Sequence, residues 1–189
     1  MKNLTLWQIE LFPWYAFLMV WAIGALSVKQ AKMTEPLAAR LFNGVLVGSG
    51  FALLFSESPP LGWLRQHFLV HSPWLDAAGV TFTCAGAAVA IWARVILGSN
   101  WSSRVSLKVG HELIRSGPYA YVRHPIYSGL LLSVIGTAMV IGEWRGLLAI
   151  ALVALAHSLK ARREEQVMLS EFGERYRQYR QETGFLIPR

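Results

Sequence analysis

Long apolar runs alternate with short polar stretches along this chain of 189 residues. Five runs stand out: Leu11–Val28, Ala38–Phe55, Leu75–Leu97, Ile126–Ile141 and Trp144–Leu159. With a rise of about 1.5 Å per residue, a helix needs about 20 apolar residues to cross a bilayer. The first three runs come near that length. The last two are shorter, separated only by Gly142 and Glu143, and predict a tight helical hairpin. A hairpin that reaches the far interface and a re-entrant pair that stops short both fit the pattern. Neither proline nor glycine occurs from Leu147 to Phe172, so the last helix is expected to run on into the polar tail. The pattern predicts an all-α integral membrane protein with about five transmembrane helices. Residues 1–97 supply the first three, and 98–189 form one unit of loop, hairpin and tail.

Composition strengthens the membrane reading. The chain is 54% hydrophobic and 15% charged, more apolar than a soluble domain of this size requires. Its net charge of +7 does not point to nucleic acid, because the basic residues cluster in the stretches between apolar runs. With five crossings, 15 of the 18 basic residues fall on one side, leaving Lys2, Arg65 and Arg145 on the other. That bias predicts a cytoplasmic C-terminus and an N-terminus outside. Trp14, Trp74, Trp101 and Trp144 lie near run ends, where an aromatic belt is expected. The first run is long, contains Trp14 and Trp21, and lacks a small-x-small site, so it reads as a helix rather than a cleaved leader. The single cysteine, Cys84, sits within an apolar run and reads as a small buried residue. No metal-ligand spacing accompanies it.

Candidate chemistry lies in the loop 98–125 and in the tail after Leu159. Gly117 to Gly129 reads GPYAYVRHPIYSG. Pro125 keeps His124 out of the helical conformation and suits the first turn of the next helix. His124 is thereby held at a helix mouth, with Tyr127 about one turn in and Gly129 permitting the close approach of a ligand or helix. An interfacial Arg-His-Tyr belt is the plainer reading of the same residues. In the tail, His157, Lys160 and Glu164 are spaced three and four apart and share one helix face. Lys160 and Glu164 form either a surface ion pair or the rim of a polar cavity at the membrane surface. Spacing alone leaves both open.

GPYAYVRHPIYSG, preceded by HELI at His111–Ile114 and followed by two glutamates and FGERYRQYRQETGFLIPR from Phe172, resembles the isoprenylcysteine carboxyl methyltransferase family. The resemblance covers about Gly98 to Pro188. It implies an integral membrane enzyme that uses S-adenosylmethionine, with a cytoplasmic pocket formed by the loop before the fourth helix and the C-terminal tail. It implies cofactor contacts from His111, Glu112, Leu113 and Ile114, from Tyr119 in the GPY turn, from His124, Pro125, Ile126 and Tyr127, and from Glu164. Lys160 stands where the family often has an arginine that contacts substrate. Lysine keeps the charge but loses the bidentate fork, a role that Arg162 or Arg163 can take up. The implied reaction is methyl transfer to a lipidic acceptor, most directly a carboxylate, which is ionised at neutral pH and needs no general base. An amine acceptor must lose a proton, which makes His124 or Glu164 a candidate base. An NADPH-dependent membrane sterol-type reductase and a non-enzymatic membrane subunit are the competing readings. The first needs a basic site for the extra phosphate, and the second predicts loss of the polar pocket residues.

Overall fold

A computed structural model describes residues 4–25, 35–56, 62–98, 101 and 113–189. Among them are six α-helices: α1 (Leu4–Ala25), α2 (Leu37–Phe55), α3 (Pro73–Leu97), α4 (Pro125–Ile141), α5 (Trp144–Phe172) and α6 (Glu174–Glu182). Short 3-10 turns occupy Gly62–Arg65 and Gly117–Ala120. No strand occurs among the described residues. Four helices, α1, α2, α3 and α5, are long and apolar enough to cross a membrane; α4, at 17 residues, is shorter.

The helix ends follow local chemistry. Ser72 caps α3 by accepting from the Leu75 N–H, and Pro73 stands at the first helical position. Pro125 opens α4 in the same way, and Gly142 closes it in the left-handed conformation at φ +64°. α5 continues without a break from Trp144 to Phe172, until Gly173 turns the chain into α6 at φ +52°.

α1 begins at Leu4, seven residues before the apolar run that predicts it. Glu10 stands just before that run in sequence but is fully buried in the bundle. Its Oε1 accepts hydrogen bonds from Thr83 at 2.7 Å and Thr137 at 2.6 Å, tying α1 to α3 and α4. These donors replace water at Oε1, while Oε2 is buried without a hydrogen bond. Trp14 adds a bond from Nε1 to the Thr137 hydroxyl at 3.0 Å, so it belongs to the core and not to an interfacial belt. Trp101 departs from the belt as well: it is buried, with the Arg94 guanidinium 4.4 Å above its ring. Cys84 is exposed, contrary to its reading as buried, because α3 packs through the opposite face that carries Thr83, Gly86, Ala87 and Ala90.

α3 and α4 form the closest pair in antiparallel register. Gly86 lies against Gly129, and Gly79 against Gly136. A Cβ on Gly129 would stand 2.5 Å from the Gly86 carbonyl, and one on Gly136 would stand 2.4 Å from the Gly79 carbonyl. Small residues let the backbones meet, as in helix pairs that pack within lipid. The neighbour that Gly129 admits is therefore a helix. At the opposite end, Arg145 is buried and satisfied by Glu143 and by the carbonyls of Leu53 and Ser56, which fastens α5 to α2.

Candidate active site

The turn that leads into α4 is held by the C-terminal tail. Val122 and Gly184 form an isolated parallel bridge, with Arg123 N–H donating to the Gly184 carbonyl at 2.9 Å and Gly184 N–H donating to Tyr121 at 3.0 Å. Tyr179 of α6 donates its hydroxyl to the Tyr119 carbonyl at 2.6 Å. Ser128 donates to the Leu186 carbonyl at 2.6 Å. Gly184 has no room for a side chain, since a Cβ would overlap the Ile187 carbonyl. The GPY turn and the last residues of the chain thus form one polar lid over the ends of α4 and α5.

Beneath it, three side chains converge. Tyr127 donates its hydroxyl to Glu164 Oε1 at 2.6 Å. His124 Nδ1 lies 3.5 Å from Glu164 Oε2, and His124 Nε2 lies 3.6 Å from Glu165 Oε1. The His124 ring is nearly parallel to that of Tyr127, with centroids 5.7 Å apart and planes 13° apart. Burial opposes a charged imidazole here, yet the two carboxylates outweigh it and hold His124 above its ordinary pKa. Glu165 is also paired with Arg123 at 2.5 Å and with Arg180 at 3.4 Å.

Tyr127, His124 and Glu164 form one wall of a cavity of 630 Å³. Leu113, Ile114, Tyr119, His124, Ile126, Tyr127, His157, Lys160 and Glu164 all line it. Pro125 is fully buried behind them. His111 and Glu112 lie outside the described residues. Lys160 places its ammonium 5.7 Å from the Tyr127 ring centroid, a cation–π contact on the same wall. His157 meets the edge of Tyr127, with centroids 4.8 Å apart. All three members of the predicted α5 face therefore reach the cavity.

One expectation needs correction. Neither Arg162 nor Arg163 lines the cavity. Arg162 is exposed, while Arg163 turns to α2, 3.8 Å from Glu35 and 3.5 Å from the Asn43 side chain. The cations that join Lys160 around the space are Arg40 and Arg123. The amino-terminal helices also do more than span. Phe17 and Trp21 of α1, with Arg40, Asn43, Val47 and Phe51 of α2, complete the walls, joined by Glu35 just before α2. In sequence Arg40 and Asn43 lie within the second apolar run, and only packing against α5 reveals which way they face.

The arrangement combines a carboxylate locked by two donors, cations on facing walls and a large apolar lining. It can hold a ligand that carries both charges at one end and apolar bulk at the other. A cavity of this size falls within the usual range for small-molecule and cofactor sites, about 300–1,000 Å³.

The chain is similar to several known proteins. The profile of the Isoprenylcysteine carboxyl methyltransferase (ICMT) family matches residues 79–170, the stretch from α3 through α5. A protein-S-isoprenylcysteine O-methyltransferase of Schizosaccharomyces pombe is 36% identical over 116 residues, covering 60% of this chain and 49% of that protein. One from Tribolium castaneum is 30% identical over 118 residues, covering 61% of this chain and 42% of that protein. The chain thus spans about half the length of the curated relatives it matches. A solved structure of a eukaryotic intramembrane Ras methyltransferase, an isoprenylcysteine carboxyl methyltransferase, superposes over 95% of this chain and 67% of its own, with a TM-score of 0.52 and 21% identity. That likeness is one of fold: an all-helical membrane architecture. By the profile match, the identities with two curated relatives and the shared fold, the chain is similar to the isoprenylcysteine carboxyl methyltransferase family.

Proposed function

We propose that this protein is an integral membrane methyltransferase that moves a methyl group from S-adenosylmethionine to the carboxylate of a lipid-tailed acceptor of the isoprenylcysteine type. The observation that carries the reading is the junction of Tyr127, Glu164 and His124 on the wall of a cavity whose remaining lining is largely apolar helix surface. α4 counts as a fifth crossing in this reading, paired with α5 as a hairpin. The lid of turn and tail faces the cytoplasm, and the N-terminus lies outside. Residues 98–189 hold the cofactor, and residues 1–97 supply spans and the far wall of the acceptor site.

The residues present fit such a cofactor. His124 Nε2 is buried without a hydrogen bond, and the carboxylate of Glu164 borders the cavity, so a cationic ligand finds complementary charge and a spare polar atom. Glu164, Tyr127 and His124 would hold it, with Leu113, Ile114, Tyr119 and Ile126 packing around it. When bound, it supplies a sulfonium-activated methyl group. Lys160 orients the acceptor carboxylate, and the helix walls take the tail and exclude water. An ionised carboxylate reacts without a base.

Thermal denaturation of the detergent-solubilised protein tests the cofactor. S-adenosylhomocysteine is expected to raise the melting temperature and NADPH to leave it unchanged. Stabilisation by NADPH alone replaces this reading with that of a reductase. Transfer of labelled methyl groups to an S-isoprenylated N-acetylcysteine tests the acceptor.

A further inference from the structure

Glu35 borders the cavity with a carboxylate that the bundle leaves incomplete. Its side chain is 4% exposed, and its Oε2 is buried without a hydrogen bond. Arg163 of α5 holds its Nη1 3.8 Å from that oxygen, an ion pair too long for a hydrogen bond. The same guanidinium donates from Nη2 to Asn43 Oδ1 at 3.5 Å. A buried carboxylate oxygen without a donor is costly unless a ligand supplies one.

Other atoms on the lining also lack partners: His124 Nε2 and both ring nitrogens of His157. An imidazole nitrogen donates or accepts according to its tautomer, so these three do not specify what they meet. Glu35 does, because an ionised carboxylate only accepts. Its place is equally informative. Arg163, which it faces, lies three residues after Lys160 on α5, a helical rise of about 4.5 Å. Glu35 and Lys160 therefore share the polar end of the cavity, which both of them line.

We infer that Glu35 selects acceptors carrying an N–H on the carbon that bears the carboxylate: lipid-tailed α-amino acids or peptide ends, and not plain fatty acids. The inference rests on the methyltransferase reading above. A nitrogen and a carboxylate carbon bonded to one carbon are about 2.5 Å apart, so a single head group offers both. Lys160 takes its carboxylate, and Glu35 Oε2 accepts from its N–H. Arg40 on the lining and Arg163 beside Glu35 offset the repulsion between the two carboxylates. A fatty acid satisfies Lys160 and leaves Oε2 stranded. A site arranged to bind a substrate N–H rejects the analogue that lacks it for that reason.

The test compares kcat/KM for N-acetyl-S-farnesylcysteine with that for S-farnesyl-3-mercaptopropionate, which has the same tail and carboxylate and no nitrogen. Wild type is expected to favour the first at least about tenfold, the effect of one hydrogen bond to a charged group. N-acetyl-N-methyl-S-farnesylcysteine lacks only the N–H and is expected to fall to the level of the propionate. Equal rates for all three overturn the inference and leave the methyltransferase reading standing. S-farnesylcysteine replaces the amide by an ammonium. Whether it or the acetylated form is faster tells a free amino acid from a peptide end, and either result supports the selection.

Glu35→Ala is expected to bring the ratio near one. Glu35→Gln keeps the shape without the charge and is expected to lower it about threefold, which decides the matter if the alanine variant does not fold. A role confined to holding Arg163 lowers all rates together and leaves the ratio unmoved, and that result overturns the selection. S-adenosylhomocysteine affinity is expected to match wild type in both variants. Its loss in a folded variant assigns Glu35 to the ammonium of the cofactor and overturns the inference. If wild type methylates none of these acceptors, the methyltransferase reading fails and takes the inference with it.

Discussion

Arg123 donates from Nε to Glu165 Oε1 at 2.5 Å, joining the turn before α4 to a point on α5 42 residues later. Both side chains are 9% exposed. The same guanidinium donates to the carbonyls of Arg180 and Thr183, so one residue binds the turn, the long helix and the tail. Removing one member of a buried pair strands the other's charge, at a cost of about 3 kcal/mol. Arg123→Ala is therefore expected to lower the melting temperature in detergent and to loosen the lid over the cavity. A melting temperature equal to that of wild type would mean that Arg180 alone holds Glu165.

Glu164→Ala removes the carboxylate that receives both Tyr127 and His124. The protein is expected to remain folded, by circular dichroism and gel filtration in detergent, and to lose S-adenosylhomocysteine binding in calorimetry. Tyr127→Phe deletes only one donor to that carboxylate. A hydrogen bond to a charged group contributes about 1.5–3 kcal/mol, so affinity is expected to fall at least about tenfold. Unchanged affinity in both variants would remove this wall from the cofactor site.

The helices were legible because lipid demands long apolar runs, and four of the helices are long enough to span. The start of α1 was not, because Glu10 reads as a boundary until Thr83 and Thr137 are brought to it from two other helices. Arg145 reads as a loop cation for the same reason: its partners, the carbonyls of Leu53 and Ser56, are some ninety residues away. In the site, the motif around His124 and the carboxylate at Glu164 were visible as patterns, since both lie in short contiguous stretches. The wall contributed by α2 was hidden. Arg40 and Asn43 carry no local spacing signal, and their direction is set by how α2 packs on α5.

The contact between α3 and α4 gives a prediction about stability alone. A Cβ on Gly136 would lie 2.4 Å from both the Gly79 carbonyl and the Thr83 hydroxyl, whereas one on Gly44 meets nothing within 4 Å. Gly136→Ala is expected to lower the melting temperature by several degrees, because two backbones must separate to admit the methyl group. Gly44→Ala is expected to hold or raise it, since alanine within a helix gains about 0.5–1 kcal/mol over glycine. Equal behaviour of the two would contradict the close approach.

Lys160 tests the acceptor. It lies on the wall that carries Tyr127 and Glu164, one helical turn from the carboxylate. Lys160→Ala is expected to preserve S-adenosylhomocysteine binding and to raise KM for a carboxylate acceptor about tenfold, the effect of losing roughly 1.4 kcal/mol of charge-assisted contact. Lys160→Arg restores a cation with a bidentate fork and is expected to recover most of that loss. A KM indifferent to charge at this position would point to a neutral or amine acceptor.

His124 makes the lid sensitive to pH. It faces Glu164 and Glu165 of α5 and Tyr127 of α4, with Arg123 next in sequence and Arg180 of α6 on the far side of Glu165. Burial disfavours the imidazolium, but the two carboxylates prevail and raise its pKa above the ordinary value of 6.5. A group whose pKa is raised by folding stabilises the folded state fully below its unfolded value, and that contribution is lost as pH rises through the folded one. Wild-type protein in detergent is therefore expected to lose thermal stability as pH climbs from about 6.5 through the raised value. His124→Gln cannot titrate in this window. It is expected to be less stable than wild type at pH 6 and to approach it on the alkaline side. Parallel melting curves for the two proteins across that range would show that His124 is not charged in the folded state.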